Sequence, residues 1–228
     1  MIEAHKESAA LKAVEFVEPG MIIGLGSGST AIYAVREIAR KLSAGELDGI
    51  LGVPTSLRVE HQARELGIPL TTLDDHPQVA LTIDGADEVD PQLDLIKGGG
   101  GALLREKIIA QASQREIIVV DETKLSDNLG RRFALPVEVL PFGWAPEATY
   151  LESLGASATL RETPAGEPTV TDQGNWIIDA DFGSIEDPRA LSDELDRRAA
   201  ITAHGLFLGL ATDLMVGGGD GVRHLKRA

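Results

Sequence analysis

Four short segments of this chain collect the residue types that handle anions and protons. The first, Gly24-Leu25-Gly26-Ser27-Gly28-Ser29-Thr30, combines glycines with hydroxyls. Glycines let a ligand approach the backbone, successive N–H groups turn toward one point, and a following helix N-terminus adds partial positive charge, so phosphate suits such a turn. Its Gly-x-Gly-x-Gly spacing departs from the dinucleotide fingerprint, and a capped turn with Ser29 or Thr30 as N-cap competes with the phosphate reading. The second, Asp84-Gly85-Ala86-Asp87-Glu88-Val89-Asp90, crowds carboxylates that suit acid–base work or a grip on sugar hydroxyls, against the plainer readings of a solvated acidic turn or a metal site. The alternate-residue spacing of a calcium loop is missing, and the five histidines form no pair at helical spacing, so no metal is expected.

The third segment, Lys97-Gly98-Gly99-Gly100-Gly101, is followed by Ala102-Leu103-Leu104-Arg105-Glu106-Lys107. Four consecutive glycines are costly to order, and a loop that closes on a ligand would offset that cost. Glu106 falls in the first turns of the next helix, where the macrodipole favours any carboxylate, so on position alone it reads equally as a helix-start charge. The fourth, Val119-Val120-Asp121-Glu122-Thr123-Lys124, ends in a lysine that is either a phosphate ligand or one more surface cation.

Position links the four. Residues 21–25 read as a strand and 29–42 as a helix with Ile32, Val35, Ile38, Ala39 and Leu42 on one face; 7–17 is a helix ended by Pro19-Gly20. Strands are expected at 49–53, 69–73, 79–83 and 116–120, with helices at 56–66 and 102–112. This alternation predicts an α/β fold: a mostly parallel, Rossmann-like sheet with helices on both faces, whose strand C-terminal ends share one edge. Each of the four segments begins or ends at such an edge, and that common location is the argument for a site.

Beyond Lys124 the texture changes to short strands at 137–140, 157–161, 168–171 and 176–179, with helices at 145–154 and 187–198. This predicts a small inserted α+β, ferredoxin-like domain at 131–202, with the catalytic α/β domain formed by 1–130 and 203–228. The chain returns to the first domain through 205–211 and 214–216.

The formal net charge of −15, from 36 acidic and 21 basic residues, argues against nucleic acid and anionic membranes as partners. An anionic substrate would therefore need a local cluster of cations or N–H groups. The absence of cysteine removes disulfides and thiolate chemistry and fits a cytoplasmic location. No apolar run approaches the length of about 20 residues that a membrane-spanning helix needs, and the polar start Met1-Ile2-Glu3-Ala4-His5-Lys6-Glu7 does not resemble a signal peptide.

In order along the chain, Gly-Leu-Gly-Ser-Gly-Ser-Thr, Asp-Gly-Ala-Asp-Glu, Lys-Gly-Gly-Gly, Arg-Glu-Lys and Asp-Glu-Thr-Lys resemble the A-type ribose-5-phosphate isomerases. The similarity extends to Leu135-Pro136-Val137-Glu138-Val139, Thr171-Asp172-Gln173-Gly174-Asn175 and Gly205-Leu206-Phe207. It implies an aldose–ketose isomerase of the non-oxidative pentose phosphate pathway that interconverts ribose 5-phosphate and ribulose 5-phosphate through an enediolate, with no cofactor. By the same resemblance Glu106 is the general base, and Asp84, Asp87 and Lys97 surround the sugar. Gly85, Ala86, Gly98, Gly99 and Gly100 line the substrate, and Ser27, Gly28, Ser29, Thr30 and Lys124 hold the phosphate, with Lys6 a further candidate. Gly101 stands where the family usually has Ala, and Thr123 where Ser is usual; neither removes a group the chemistry needs. A homodimer or dimer of dimers is implied. The competing functions are a non-catalytic sugar-phosphate sensor, an amino-sugar phosphate deaminase and a CoA transferase.

Overall fold

The computed structural model describes residues 1–227. In chain order the elements are α1 (Ile2–Val14), β1 (Ile22–Leu25), α2 (Ala31–Ser43), β2 (Leu51–Pro54), α3 (Leu57–Glu65), β3 (Leu81–Asp84), β4 (Glu88–Val89), β5 (Leu95–Ile96), α4 (Leu103–Ala112) and β6 (Glu116–Asp121). A 3₁₀ turn (Glu122–Lys124) follows, then β7 (Leu135–Val139), α5 (Trp144–Ser153), β8 (Ser157–Leu160), β9 (Trp176–Asp181), α6 (Pro188–Asp196), β10 (Ile201–His204), β11 (Leu206–Phe207), β12 (Asp213–Gly218) and β13 (Gly221–Lys226). By its contacts the chain divides into two units, Met1–Ala86, Arg105–Lys124 and Gly209–Ala228 against Asp87–Leu104 and Leu125–Leu208. The expected insertion at 131–202 falls inside the second run of the second unit. The strip 87–104 joins that unit because β4 and β5 pair with β11 in a three-stranded sheet.

The first unit is built on a six-stranded sheet of order β13-β12-β6-β3-β1-β2, parallel throughout except for β13 at the edge. Its central strands are covered on both faces, which is why β6 reads as an unbroken apolar run and is buried along its whole length. Strand alternation sorts the two faces. Ile23 and Leu25 join Ala9, Ala10 and Val14 of α1, Ile38 of α2 and Ala63 of α3 in one core, whereas Ile22 packs with Val53, Val79 and Ile109 of α4 in another. Each Ile or Leu so buried contributes about 1.5–3 kcal/mol.

The second unit contains β7-α5-β8-β9-α6-β10, a βαββαβ sequence folded as an antiparallel sheet of order β10-β7-β9-β8. Leu135, Val137 and Val139 of β7, Ile178 and Ala180 of β9, Leu151 of α5 and Leu195 of α6 form its core.

Several elements differ from expectation. The first helix starts at Ile2 rather than near residue 7, because its exposed first turn carries no apolar stripe and is held by polar contacts from Glu3 and Lys6. The strands expected at 69–73 and 168–171 are reduced to isolated bridges at Leu70, Pro168 and Val170. The run 205–211 yields the two-residue strand β11. The edge strand β13 was not expected: it is largely exposed and mixes Val222 and Leu225 with Arg223, His224 and Lys226, so it has no clean alternation. Neither were β4 and β5, each two residues long.

Candidate active site

The parallel register aligns the C-terminal ends of β1, β3, β6 and β12, pairing Leu25 with Ile83, Asp84 with Ile118, and Asp121 with Gly217. Three of the four chemistry-bearing segments leave the sheet at this edge. The turn after β1 sits tightly against the end of β3: a Cβ on Gly26 would lie 2.2 Å from the Ile83 carbonyl oxygen and 2.5 Å from the Asp84 Cα. Only glycine fits that approach. Gly26 N–H donates to the Ile83 carbonyl at 3.0 Å, and the Asp84 carboxylate, itself 1% exposed, accepts from the N–H groups of Ser27 (2.9 Å) and Gly85 (2.7 Å) through Oδ1. Asp84 thereby pins the serine-rich turn to its own strand, with Gly85 and Ala86 partly exposed beside it.

Glu106 lies in the first turn of α4 yet is only 6% exposed. A simple helix-start charge would face water. Here Ser27 Oγ donates to Glu106 Oε1 at 2.5 Å across 79 residues of sequence. Ser27, Asp84 and Glu106 thus form one connected group. Thr30 is the N-cap residue of α2, without a side-chain cap hydrogen bond, and is buried; Gly28 takes φ +101°, and Ser29 is exposed. Lys6 of α1 reaches Ser29 Oγ at 3.2 Å and also binds Glu3 at 2.8 Å, a contact that holds the Glu3 carboxyl below its usual range. Lys124 closes the 3₁₀ turn after β6 and is partly exposed. The sheet edge near it is crowded: a Cβ on Gly217 would fall 1.9 Å from the His5 carbonyl oxygen, and one on Gly218 would fall 2.6 Å from the Glu122 carboxyl carbon. The start of α1, the end of β12 and the 3₁₀ turn therefore converge, with Lys6 and Lys124 borne on two of these three elements.

The remaining expected residues belong to the second unit. Lys97 follows β5, donates its N–H to the Gly205 carbonyl at 2.9 Å, is 3% exposed, and places Nζ 5.6 Å from the centroid of the Phe207 ring. Asp87 precedes β4, and its Oδ2 accepts the Gly99 N–H at 2.7 Å. Gly98 has φ +107°, a conformation that side-chain-bearing residues avoid, and its carbonyl accepts from Gly101 N–H at 3.0 Å to close the glycine turn. Gly99 and Gly100 are exposed at its tip. Arg161, which the sequence reading did not single out, donates to the Gly98 and Gly99 carbonyls at 2.9 and 3.2 Å. No sequence signal marks it, since an arginine just after a short strand has no distinctive spacing. Among the described residues no group of three or more His, Asp or Glu side chains could hold a metal ion.

The family model "Ribose 5-phosphate isomerase A (phosphoriboisomerase A)" matches residues 51–221. The chain belongs to this family. It is 59% identical to the ribose-5-phosphate isomerase A of Chloroflexus aurantiacus over 98% of this chain and 93% of that protein, and 54% identical to that of Desulfatibacillum aliphaticivorans over 99% and 98%. A D-ribose-5-phosphate isomerase solved in complex with phospho-erythronic acid superposes with a TM-score of 0.97 at 41% identity, each chain covered over its full length. The ribose 5-phosphate isomerase of Plasmodium falciparum gives 0.95 at 39% identity over 99% of each chain. The family's α/β architecture is thus this chain's architecture, inserted α+β unit included.

Proposed function

We propose that this protein is an aldose–ketose isomerase that interconverts D-ribose 5-phosphate and D-ribulose 5-phosphate, with Glu106 as the proton carrier. Family membership supports the reaction, and the Ser27–Glu106 hydrogen bond supports the assignment of the base. It joins a buried carboxylate to a glycine- and hydroxyl-rich turn of the kind that suits an anion.

The chemistry follows from these groups. After the furanose opens, the Glu106 carboxylate takes the proton from C2, the electron pair moves to the C1 carbonyl oxygen, and an enediolate forms. The same carboxyl then returns the carbon-bound proton to C1 while the C2 hydroxyl gives up its proton and the C1 oxygen takes one, so that C2 becomes the ketone, C1 carries the hydroxyl, and the oxidation level of the sugar as a whole is unchanged. Ser29, Thr30 and the N–H groups of the turn, with Lys6 and Lys124, hold the phosphate and so fix C1 and C2 relative to the base. Gly28, at positive φ, lets that turn close around the anion. For Asp87, Lys97, Gly98, Gly99 and Gly100 the assignment rests on residue type and family pattern: Asp87, held by the Gly99 N–H, assists ring opening, while Lys97 and the other backbone donors of the glycine turn stabilise the enediolate, an effect of about 3–4 kcal/mol per donor. No observation favours the sensor reading. A place in pentose phosphate interconversion, a cytoplasmic location and a homodimer belong to the same proposal. Among the described residues no helix is long and apolar enough to cross a membrane.

The test is ribulose 5-phosphate formation from ribose 5-phosphate after metal chelation, for the native chain and Glu106→Gln. Activity in the native chain and a fall in kcat of about 10²- to 10⁴-fold in the variant are expected. An inactive native chain would overturn the function, and equal activity in the two would overturn the base. Phospho-erythronic acid should inhibit the native chain competitively.

A further inference from the structure

The glycine turn after Lys97 is held from outside by a pair of residues to which no role has been assigned. Arg161 directly follows β8, and its backbone is fixed on both sides, N–H to the Ile177 carbonyl at 2.8 Å and carbonyl from Thr169 N–H at 2.8 Å. Its guanidinium forms a two-pronged ion pair with Asp179 of β9, through Nε at 2.8 Å and through Nη2. The remaining terminal nitrogen, Nη1, reaches the carbonyls of Gly98 and Gly99. The arginine side chain is 17% exposed and the aspartate 29%, so the pair is largely shielded from solvent.

Peptide geometry turns this contact into a statement about donors. Among the described residues there are no cis peptide bonds, so each carbonyl points opposite to the N–H of the following residue. Drawing the Gly98 and Gly99 carbonyls toward Arg161 therefore aims the Gly99 and Gly100 N–H groups away from it. The first of these meets Asp87 Oδ2 at 2.7 Å, so the Gly98–Gly99 peptide plane is gripped at both ends. A four-glycine run has little intrinsic preference for one peptide orientation; without the guanidinium the Gly98–Gly99 plane keeps only its bonds to Asp87 and Gly101 N–H, and the Gly99 carbonyl loses its hydrogen bond to Arg161.

We propose that Arg161, oriented by Asp179, is a positioning residue for the isomerisation. It fixes the glycine turn so that Gly99 N–H holds the Asp87 carboxylate in place and Gly100 N–H is presented to the developing enediolate oxygen. The inference rests on the isomerase reading above. A planar fork is needed because one face must pair with Asp179 while the other spans two carbonyls, a task an ammonium group does poorly.

The experiment compares native protein, Arg161→Met, Arg161→Lys, Arg161→Ala with and without added guanidinium, and Asp179→Asn in the ribose 5-phosphate assay, with thermal unfolding and binding of phospho-erythronic acid measured alongside. Arg161→Met is expected to lose about 10- to 100-fold in kcat, with KM changed less than about threefold, because oriented donors act mainly on the transition state. Arg161→Lys and Asp179→Asn should lose about tenfold or less, and added guanidinium should partly restore Arg161→Ala. Wild-type kcat in a folded Arg161→Met would overturn the proposal. If that variant does not fold, wild-type kcat in both Arg161→Lys and Asp179→Asn would do so, as would losses that match the folded fraction and resist guanidinium. Absence of turnover in the native chain would instead refute the isomerase reading.

Discussion

The Ser27 hydroxyl lies 2.5 Å from a glutamate carboxylate oxygen, and its backbone N–H is held by Asp84. Its donor is therefore aimed by the turn rather than by its own rotamer preference. A hydrogen bond to a charged group is worth about 1.5–3 kcal/mol. Ser27→Ala should lower kcat about tenfold, and Ser27→Thr, which restores a hydroxyl, should recover most of it; steady-state kinetics checks both. The residue types Ser, Asp and Glu were visible as candidates, but the bond between positions 27 and 106 was not, since nothing in sequence spacing joins residues 79 apart. Arg161 shows the same limit more sharply, because its contribution lies wholly in which carbonyls it meets.

At the scale of elements, the approach of the β1 turn to β3 carries the site. With backbone atoms 2.2 and 2.5 Å from the position of a Cβ on Gly26, neither strand end can yield without disturbing the parallel ladder. Gly26→Ala should cost about 3 kcal/mol of stability, the upper end of the usual cost of overpacking, read by urea unfolding, and should raise KM for the sugar phosphate because the Ser27 to Thr30 turn is displaced. Elements with strong periodicity were legible: α2 shows a clean apolar stripe and β6 an unbroken apolar run. The short hairpin β4–β5 and the exposed edge β13 were not, because pairing partners rather than side-chain patterning define them.

On the scale of the whole molecule, two buried carboxylates give the two units opposite responses to pH. In the first unit, burial raises the Asp213 pKa, but hydrogen bonds from Arg115, His224 and Thr212 outweigh it and hold the group well below the usual carboxylate range. Arg115 also stacks 4.2 Å from the Phe16 ring centroid, so this cluster ties the segment after α1 to β12 and β13. A depressed folded pKa means that the stabilisation is present above the ordinary aspartate value and is lost as pH falls through the lowered one. Asp213→Asn should destabilise by about 3 kcal/mol at pH 7, with a difference from native that shrinks in acid, measured by denaturant midpoints across pH.

In the second unit the sign reverses. Burial raises the Glu138 pKa against the lowering effect of Asn175 and Thr171, so its contribution is fully present below the ordinary value of 4.5 and is lost as pH rises through the raised one. Glu138→Gln, which keeps an acceptor for both donors, should gain stability relative to native from pH 5 to pH 8. A flat difference over that range would contradict the burial argument.

The amino-acid sequence by itself determined the alternation of strands and helices, the chemical character of four loop segments and the acidic field around them, because periodicity and residue type are local properties. It also carried enough ordered motif to indicate the family. Tertiary structure alone decided that Glu106 is buried against Ser27, that Asp84 spends one oxygen on pinning a turn, and that an arginine beyond a remote strand meets the carbonyls of the glycine run. These are contacts across 57 to 79 residues, and their existence depends on strand order and register. No local rule encodes those, since they emerge only when apolar faces far apart in the chain are buried together.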